Sequence, residues 1–309
     1  MKVAVLTGGF SSEREISLIT GNAIANALKK NGHSVRTIDI TSSDIGTVKA
    51  LWKQKIFELA FIAIHGEFGE DGELQKLLDA AGIPYTGSGA KASMLAMNKY
   101  LSKTEFLLRD VNTPKYLIYN ETALDEIILR LDLPVVVKPV TEGSSIGVSI
   151  NKTKEELAEG IEKAKRFEPL IIEKYIAGRE MNVAILDGKA LPIIEIKPRN
   201  AFYDYDAKYN SHDTEYIVDP ELSAEQEYWL KTQALKAYRA LGCESYARVD
   251  LLLSENGLPY VLEVNTIPGM TPTSLFPKAA KAAGLSFEEL CEKIANLALA
   301  KHKRTRAAA

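Results

Sequence analysis

Apolar and polar positions change their period along the chain, and each change predicts a different kind of structure. Lys2–Leu6 is a short valine-rich run that reads as a buried strand, closed by the turn Thr7-Gly8-Gly9. Ile16, Ile19, Ala23, Ile24, Ala27 and Leu28 then recur at helical spacing, and Asn31-Gly32 stops that helix. Val35–Ile40 and Leu59–Ile64 read as further strands and Glu73–Ala81 as a short helix. Strands alternating with helices predict a mainly parallel, doubly wound sheet.

The middle of the chain predicts one helix over Ala90–Arg109, a strand near Tyr116–Tyr119 and a helix over Ala123–Leu131. Pro134 to Pro139 forms a strand that runs into the polar loop Thr141–Gly147, followed by an amphipathic helix over Lys154–Arg166 and a strand over Leu170–Tyr175. From residue 180 the pattern becomes antiparallel. Met181–Leu186 and Ala190–Ile196 flank Asp187-Gly188, and Tyr246–Leu253 and Leu258–Glu263 flank Asn256-Gly257, both two-residue hairpin signals. Between them lie a polar, tyrosine-rich stretch over residues 199–220, whose length marks a lid or binding loop, and a helix over Ala224–Leu241. Two helices end the pattern. The fold class is therefore mixed, α/β followed by α+β.

The second hairpin carries chemistry. A turn centred on Asn256-Gly257 sets Asp250 opposite Glu263 and Arg248 opposite Asn265, all on one face. Facing side chains have Cβ atoms about 5 Å apart, so two carboxylates there repel unless a cation joins them. A sparse set of oxygen donors suits Mg²⁺, which keeps water and phosphate in its shell. The bland alternative is a surface carboxylate pair, but Val249, Leu251, Val261, Leu262 and Val264 beside it are apolar.

Neither GxxxxGK[ST] nor GxGxxG occurs. Lys138 instead ends a β-branched strand, where a buried cation needs an anion, and Glu142 to Gly147 follow with free N–H groups and hydroxyls suited to phosphate. Lys99 offers a second cation. Read alone, Lys138 also fits an edge lysine and Lys99 a solvated helix residue. Glu173, Lys174, Tyr175 and Ile176 can meet an adenine through strand-edge backbone groups, or simply end a strand.

Composition narrows the class. The chain has 309 residues, 46% apolar and 26% charged, which suits two or three folded units. A net charge of −3 gives no pull toward nucleic acid or an anionic membrane. Cys243 and Cys291 are isolated and the four histidines are scattered, so neither a disulfide framework nor a thiol or histidine metal site is expected. The apolar start is too short for a signal-peptide core and no run is long enough for a membrane helix, so a cytoplasmic protein is expected.

Eight segments carry a resemblance: GGFSSEREISL (8–18), HGEFGEDG (65–72), MNK (97–99), VVKPVTEGSSIGV (136–148), EKYIAGRE (173–180), YDAKYNS (205–211), ARVD (247–250) and LEVNTIPGMTPTSLFP (262–277). In this order they resemble the D-alanine–D-alanine ligases of the ATP-grasp superfamily over nearly the whole chain. The resemblance implies an ATP-grasp fold with an N-terminal α/β domain (1–95), a central subdomain (96–179) and a C-terminal subdomain (180–309) holding the lid at 199–220. It implies that Lys99, Lys138, Ser144, Ser145 and Lys208 hold ATP phosphates, and that Glu173, Lys174, Tyr175, Ile176 and Glu180 take the adenine and ribose. Asp250, Glu263 and Asn265 would bind two Mg²⁺ or Mn²⁺ ions.

Glu13 would grip the ammonium of the first D-alanine, with His65 nearby and Ser144 and Tyr209 tying the lid to Glu13. Arg248 and the Gly269 amide would stabilise an oxyanion, and Ser274 and Leu275 would take the second substrate's carboxylate. The implied reaction joins two D-alanines through a D-alanyl phosphate, supplying peptidoglycan precursors, in a homodimer. The alternative on this scaffold is a D-alanyl-D-lactate or D-alanyl-D-serine ligase. A non-catalytic nucleotide-binding module is the reading from another class. It predicts loss of a metal ligand or phosphate lysine, and Asp250, Glu263, Asn265, Lys99 and Lys138 are all present.

Overall fold

Three β-sheets organise the described residues. The structure, a computed structural model, describes residues 1–143, 145–197 and 214–308. In the first sheet β1 (Lys2–Gly8) lies between β2 (Ser34–Ile40) and β3 (Leu59–Ile62), all parallel. Helix α1 (Arg14–Lys30) buries Ile24, Ala27 and Leu28 against Val3, Val5 and Phe61. Helices α2 (Gly46–Lys53) and α3 (Glu73–Ala80) cover the other face, where Val48, Leu74 and Leu78 meet Leu6, Ile38 and Ile62. Helices on both faces make this sheet doubly wound.

The buried stripe of α1 differs from the expected one. Ser17, Thr20 and Gly21 are buried while Ile19 is 54% exposed. A Cβ on Gly21 would stand 2.4 Å from Thr7 Oγ1, so glycine there permits close helix–strand packing. The small, polar stripe packs on the end of β1, which turns Ile16 and Ile19 toward a cleft instead.

The single helix expected over residues 90–109 is two: α4 (Ala90–Met97) and α5 (Lys99–Leu107). Asn98 breaks it, with extended backbone and a side chain that accepts from Leu101 N at 3.0 Å as an N-cap. The second sheet is antiparallel, in the order β4 (Tyr116–Ile118), β7 (Leu170–Lys174), β5 (Val135–Pro139), β6 (Ser149–Asn151). Helices α6 (Leu124–Leu131) and α7 (Lys154–Ala164) pack on it around Ile127, Leu157 and Ile172.

The third sheet joins β11 (Glu215–Val218), β10 (Ile194–Lys197), β8 (Gly178–Leu186), β12 (Tyr246–Ser254) and β13 (Pro259–Asn265), with β9 (Lys189–Ala190) also on β8. The first hairpin turns in two residues, Asp187 and Gly188, both at positive φ. Strand β11 falls inside the expected lid, so residues 215–218 are an ordered edge strand; the rest of that expectation up to residue 213 lies outside the described residues.

The second hairpin needs a correction. Ser254 N donates to Leu258 O at 3.0 Å, which leaves three loop residues instead of two. Near the turn Leu251 faces Val261, an offset of one from the expected register, and a bulge at Leu262 restores Asp250 opposite Glu263 and Arg248 opposite Asn265.

Helix α8 (Ala224–Ala240), opened by a Ser223–Gln226 capping box, covers one side of this sheet. Helices α9 (Leu275–Ala282) and α10 (Phe287–Ala308) close the chain. Leu290 and Ile294 of α10 share one core with Val3, Phe61, Ile194 and Tyr246, so the first and third sheets are joined by apolar packing. No helix among the described residues is long and apolar enough to cross a membrane.

Candidate active site

Strands β8, β12 and β13 lay their polar residues in rows across one face. Asn182, Asp250 and Glu263 form one row, and Ala184, Arg248 and Asn265 the next. Strand alternation produces this, because Val249, Leu251, Val261 and Val264 all point into the opposite, buried face. The polar face forms the floor of a cleft of about 610 Å³.

Both Asp250 oxygens are engaged, while the buried Asn182 Oδ1 has no hydrogen-bond partner among the described residues. Arg248 grips Asp250 with two bonds, Nε to Oδ1 at 2.9 Å and Nη2 to Oδ2 at 2.7 Å, and Asn182 donates to Oδ1 at 2.5 Å. Lys99 Nζ lies 3.7 Å from Glu263 Oε2 and donates to the Glu142 carbonyl at 2.6 Å. Asn265 Oδ1 accepts from Ile267 N at 2.9 Å.

Helix α1 begins at Glu13. Gly66 has φ 73°, which favours glycine, and a Cβ there would stand 2.8 Å from Glu13 Oε2 and push that carboxylate aside. His65 is buried beside it, with Nε2 3.0 Å from Thr20 Oγ1 and Nδ1 3.2 Å from Glu70 Oε1. Burial raises the pKa of Glu70, the hydrogen bond with His65 opposes that rise, and the nearby Glu13 charge adds to it. Gly269, Thr271, Ser274, Leu275, Tyr216 and Lys278 also line the cleft.

The structure thus brings Glu13, His65, Lys99, Glu180, Arg248, Asp250, Glu263, Asn265, Gly269, Ser274 and Leu275 around one cleft. Lys138 and Glu173 sit beside it, inside the second sheet. Both are buried, with Lys138 Nζ 2.9 Å from Glu173 Oε2 and Lys103 Nζ 3.2 Å from Oε1. Burial alone would raise the pKa of Glu173, but the two ammonium groups hold it below the ordinary value. Desolvation lowers that of Lys103 to about 8, against the pull of Glu173.

Glu173 and Lys174 end β7, and Tyr175 and Ile176 follow it. β7 is an inner strand, and the N–H groups of Lys174 and Tyr175 donate to Lys115 O and Pro134 O at 2.8 and 3.1 Å. The Lys174 ammonium bonds the carbonyls of Asp132 and Leu133. Ser145 lies in the loop after β5 with φ 61°. Ser144, Lys208 and Tyr209 lie outside the described residues.

Sequence reasoning missed Glu70, Lys103, Asn182 and Lys278. Lys103 stands four residues after Lys99 on the same helix face, the one available signal. Glu70 lies within the quoted 65–72 segment, and Lys278 is four residues after Ser274.

A small antiparallel sheet and a larger one holding a carboxylate-lined cleft, joined to a parallel N-terminal sheet, define an ATP-grasp enzyme. A family model described as the D-ala D-ala ligase N-terminus matches residues 44–88, and one described as the D-ala D-ala ligase C-terminus matches residues 106–296. The D-alanine–D-alanine ligase of Methylacidiphilum infernorum is 44% identical over 302 residues, covering 97% of this chain and 96% of that protein. The crystal structure of the Bacillus anthracis D-alanine–D-alanine ligase complexed with ATP superposes with a TM-score of 0.87 at 36% identity, covering 99% of each chain. The VanG D-Ala:D-Ser ligase of Enterococcus faecalis superposes at 0.82 with 30% identity, covering 96% of this chain and 99% of that one. The chain belongs to the D-alanine–D-alanine ligase family.

Proposed function

We propose that this enzyme uses ATP to join two D-alanines through a D-alanyl phosphate, releasing ADP and phosphate and supplying a peptidoglycan precursor. The observation that carries the reading is the cleft floor, where Asp250 and Glu263 face each other while Arg248 and Lys99 hold their charges.

The floor fits Mg²⁺. Among the described residues no three His, Cys, Asp or Glu side chains converge, and the third donor is the Asn265 amide oxygen. Two carboxylates and one amide make a sparse, hard oxygen set, the kind Mg²⁺ completes with water and phosphate. Asp250, Glu263 and Asn265 would hold one or two such ions, which would neutralise charge on the transferring phosphoryl group.

The chain's own residues account for the rest. The Glu13 carboxylate holds the ammonium of the first D-alanine, with His65 and Glu70 behind it. Lys99 and Lys138 hold the phosphates, joined by Ser144, Ser145 and Lys208, and Glu180 takes the ribose. Glu173 orients Lys138, and the backbone of residues 174–176 borders the adenine. The first substrate's carboxylate attacks the γ-phosphate, and the acceptor's amine then attacks the acyl phosphate.

Arg248 and the Gly269 N–H stabilise the oxyanion of that second step. Ser274 and Leu275, at the N-terminus of α9, take the acceptor's carboxylate. The segment 199–220, with Tyr209 against Ser144 and Glu13, excludes water from the acyl phosphate. Units 1–95, 96–179 and 180–309 enclose the cleft, and we assign the enzyme to a cytoplasmic homodimer.

Asp250→Asn tests the floor. It removes a charge that both Arg248 and the metal need, so turnover with Mg²⁺ should fall by about a hundredfold or more while thermal unfolding stays cooperative. Near wild-type turnover would rule the floor out as the metal site.

A further inference from the structure

Charges of both signs line the cleft. Glu13 and Glu70 line it near the start of α1, and Lys278 lines it in the first turn and a half of α9, with Arg248 and Gly269 also on its wall. The carboxylates suit an ammonium. Lys278 is a cation that the family roles assigned above leave unused.

Ser274 is the N-cap of α9, yet its hydroxyl does not cap the helix. Its Oγ lies 2.8 Å from Thr271 Oγ1 and accepts from Thr271 N at 3.1 Å. The first turn of α9 contains no acidic residue. Its N–H groups therefore have neither a capping side chain nor a carboxylate from their own turn.

Lys278 is one turn further on and on the same face as Ser274. Long helical side chains lean toward the helix N-terminus, which favours a Lys278 stem directed back along that turn. Its ammonium sits 4.0 Å over the Tyr216 ring, which supplies a face of partial negative charge but no full counter-charge. Among the described residues no carboxylate forms a salt bridge with it, although it is half-buried and desolvation lowers its pKa. A partly dehydrated cation beside an uncapped helix start, inside the substrate cleft, is complementary to a carboxylate.

We propose that Lys278 is a specificity residue that pairs with the carboxylate of the acceptor amino acid, supplementing the N–H groups of α9. The proposal rests on the ligase reading given above. It also bears on the amine that must attack. An amino acid reaches the cleft as a zwitterion, and its amine is a nucleophile only when neutral. A fixed ammonium and a helix N-terminus near the acceptor's amine favour seating of the neutral form, whose proton has gone to bulk water, because like charges disfavour the protonated form. Lys278 thus selects an acceptor with a free carboxylate and eases its deprotonation.

The test compares D-alanine with D-alaninamide, which has the same amine and no carboxylate, as acceptors for D-alanine and ATP, with products measured by mass. In Lys278→Met the acceptor KM for D-alanine should rise about tenfold, and the preference for D-alanine over D-alaninamide should fall by about the same factor. The KM for ATP should stay within about twofold, and Lys278→Arg should recover most of the preference. Equal losses with both acceptors, or a parallel rise in the KM for ATP, would overturn the proposal and leave Lys278 as a prop for Tyr216 and β11. Wild-type enzyme that forms no D-alanyl-D-alanine at all would instead refute the ligase reading itself.

Discussion

The buried trio of Lys103, Glu173 and Lys138 shows how much a single carboxylate can hold. Its two oxygens lie 3.2 and 2.9 Å from two ammonium groups. Lys103 also donates to Thr113 Oγ1 at 2.5 Å, and Thr113 to the Val261 carbonyl at 2.9 Å, linking the second sheet to the strand that carries Glu263. Glu173→Gln would leave two buried cations facing each other, and should lower stability by about 3–5 kcal/mol at neutral pH, read from denaturant unfolding. The pH dependence follows in sign. Glu173 titrates in the folded state below its ordinary 4.5, so its stabilisation is complete above about that pH and is lost as pH falls through the lower folded value. The variant should lack that part of the acid limb; an unchanged acid limb would refute the assignment. Little of this was legible in the sequence. Lys138 was visible because a cation ending a β-branched strand is unusual, whereas Lys103 and Lys278 lie on helices, where a lysine is normally solvated. Glu13 and Glu180 emerged only through the resemblance, since no spacing marks them.

Among the elements, hairpins were more legible than helix breaks. Asp187-Gly188 fixed its turn because both residues tolerate positive φ. The turn at Asn256-Gly257 was placed correctly but given one residue too few, and the Asp250–Glu263 pairing depends on a bulge that no local residue announces. The break at Asn98 has a recognisable cause, because an asparagine inside an apolar helical pattern is also a good N-cap. Asn98→Ala removes the bond from Leu101 N and should cost about 1 kcal/mol of stability, seen as a lower Tm. An unchanged Tm would mean the two helices are held apart by packing alone. The Tyr216 strand was missed for a different reason: polar, tyrosine-rich sequence does not separate an edge strand from a loop.

Over the whole molecule, the sequence identified which faces are apolar but not what covers them. The last helix was grouped with the C-terminal unit. In the structure Leu290 and Ile294 complete a core shared with Val3 and Phe61, and Lys30 Nζ and Asn31 Nδ2 reach Glu288 at 2.8 and 2.9 Å. Likewise Leu95, Phe106 and Val111 pack beneath the third sheet with Leu251 and Val261, while the second sheet keeps a core of its own. The cleft floor and the Glu13 side therefore rest on two sheets joined by one apolar core, with Lys138 on the remaining sheet and Lys99 at the start of α5. That arrangement suits a reaction that couples ATP cleavage to the joining of two D-alanines. Incubating the enzyme with ATP, Mg²⁺ and either D-alanine or L-alanine, and measuring phosphate together with dipeptide by mass, tests this most directly. Phosphate and D-alanyl-D-alanine rising in equal amounts, with L-alanine inert, is the predicted result. Phosphate released without dipeptide, or no turnover with D-alanine, would contradict it.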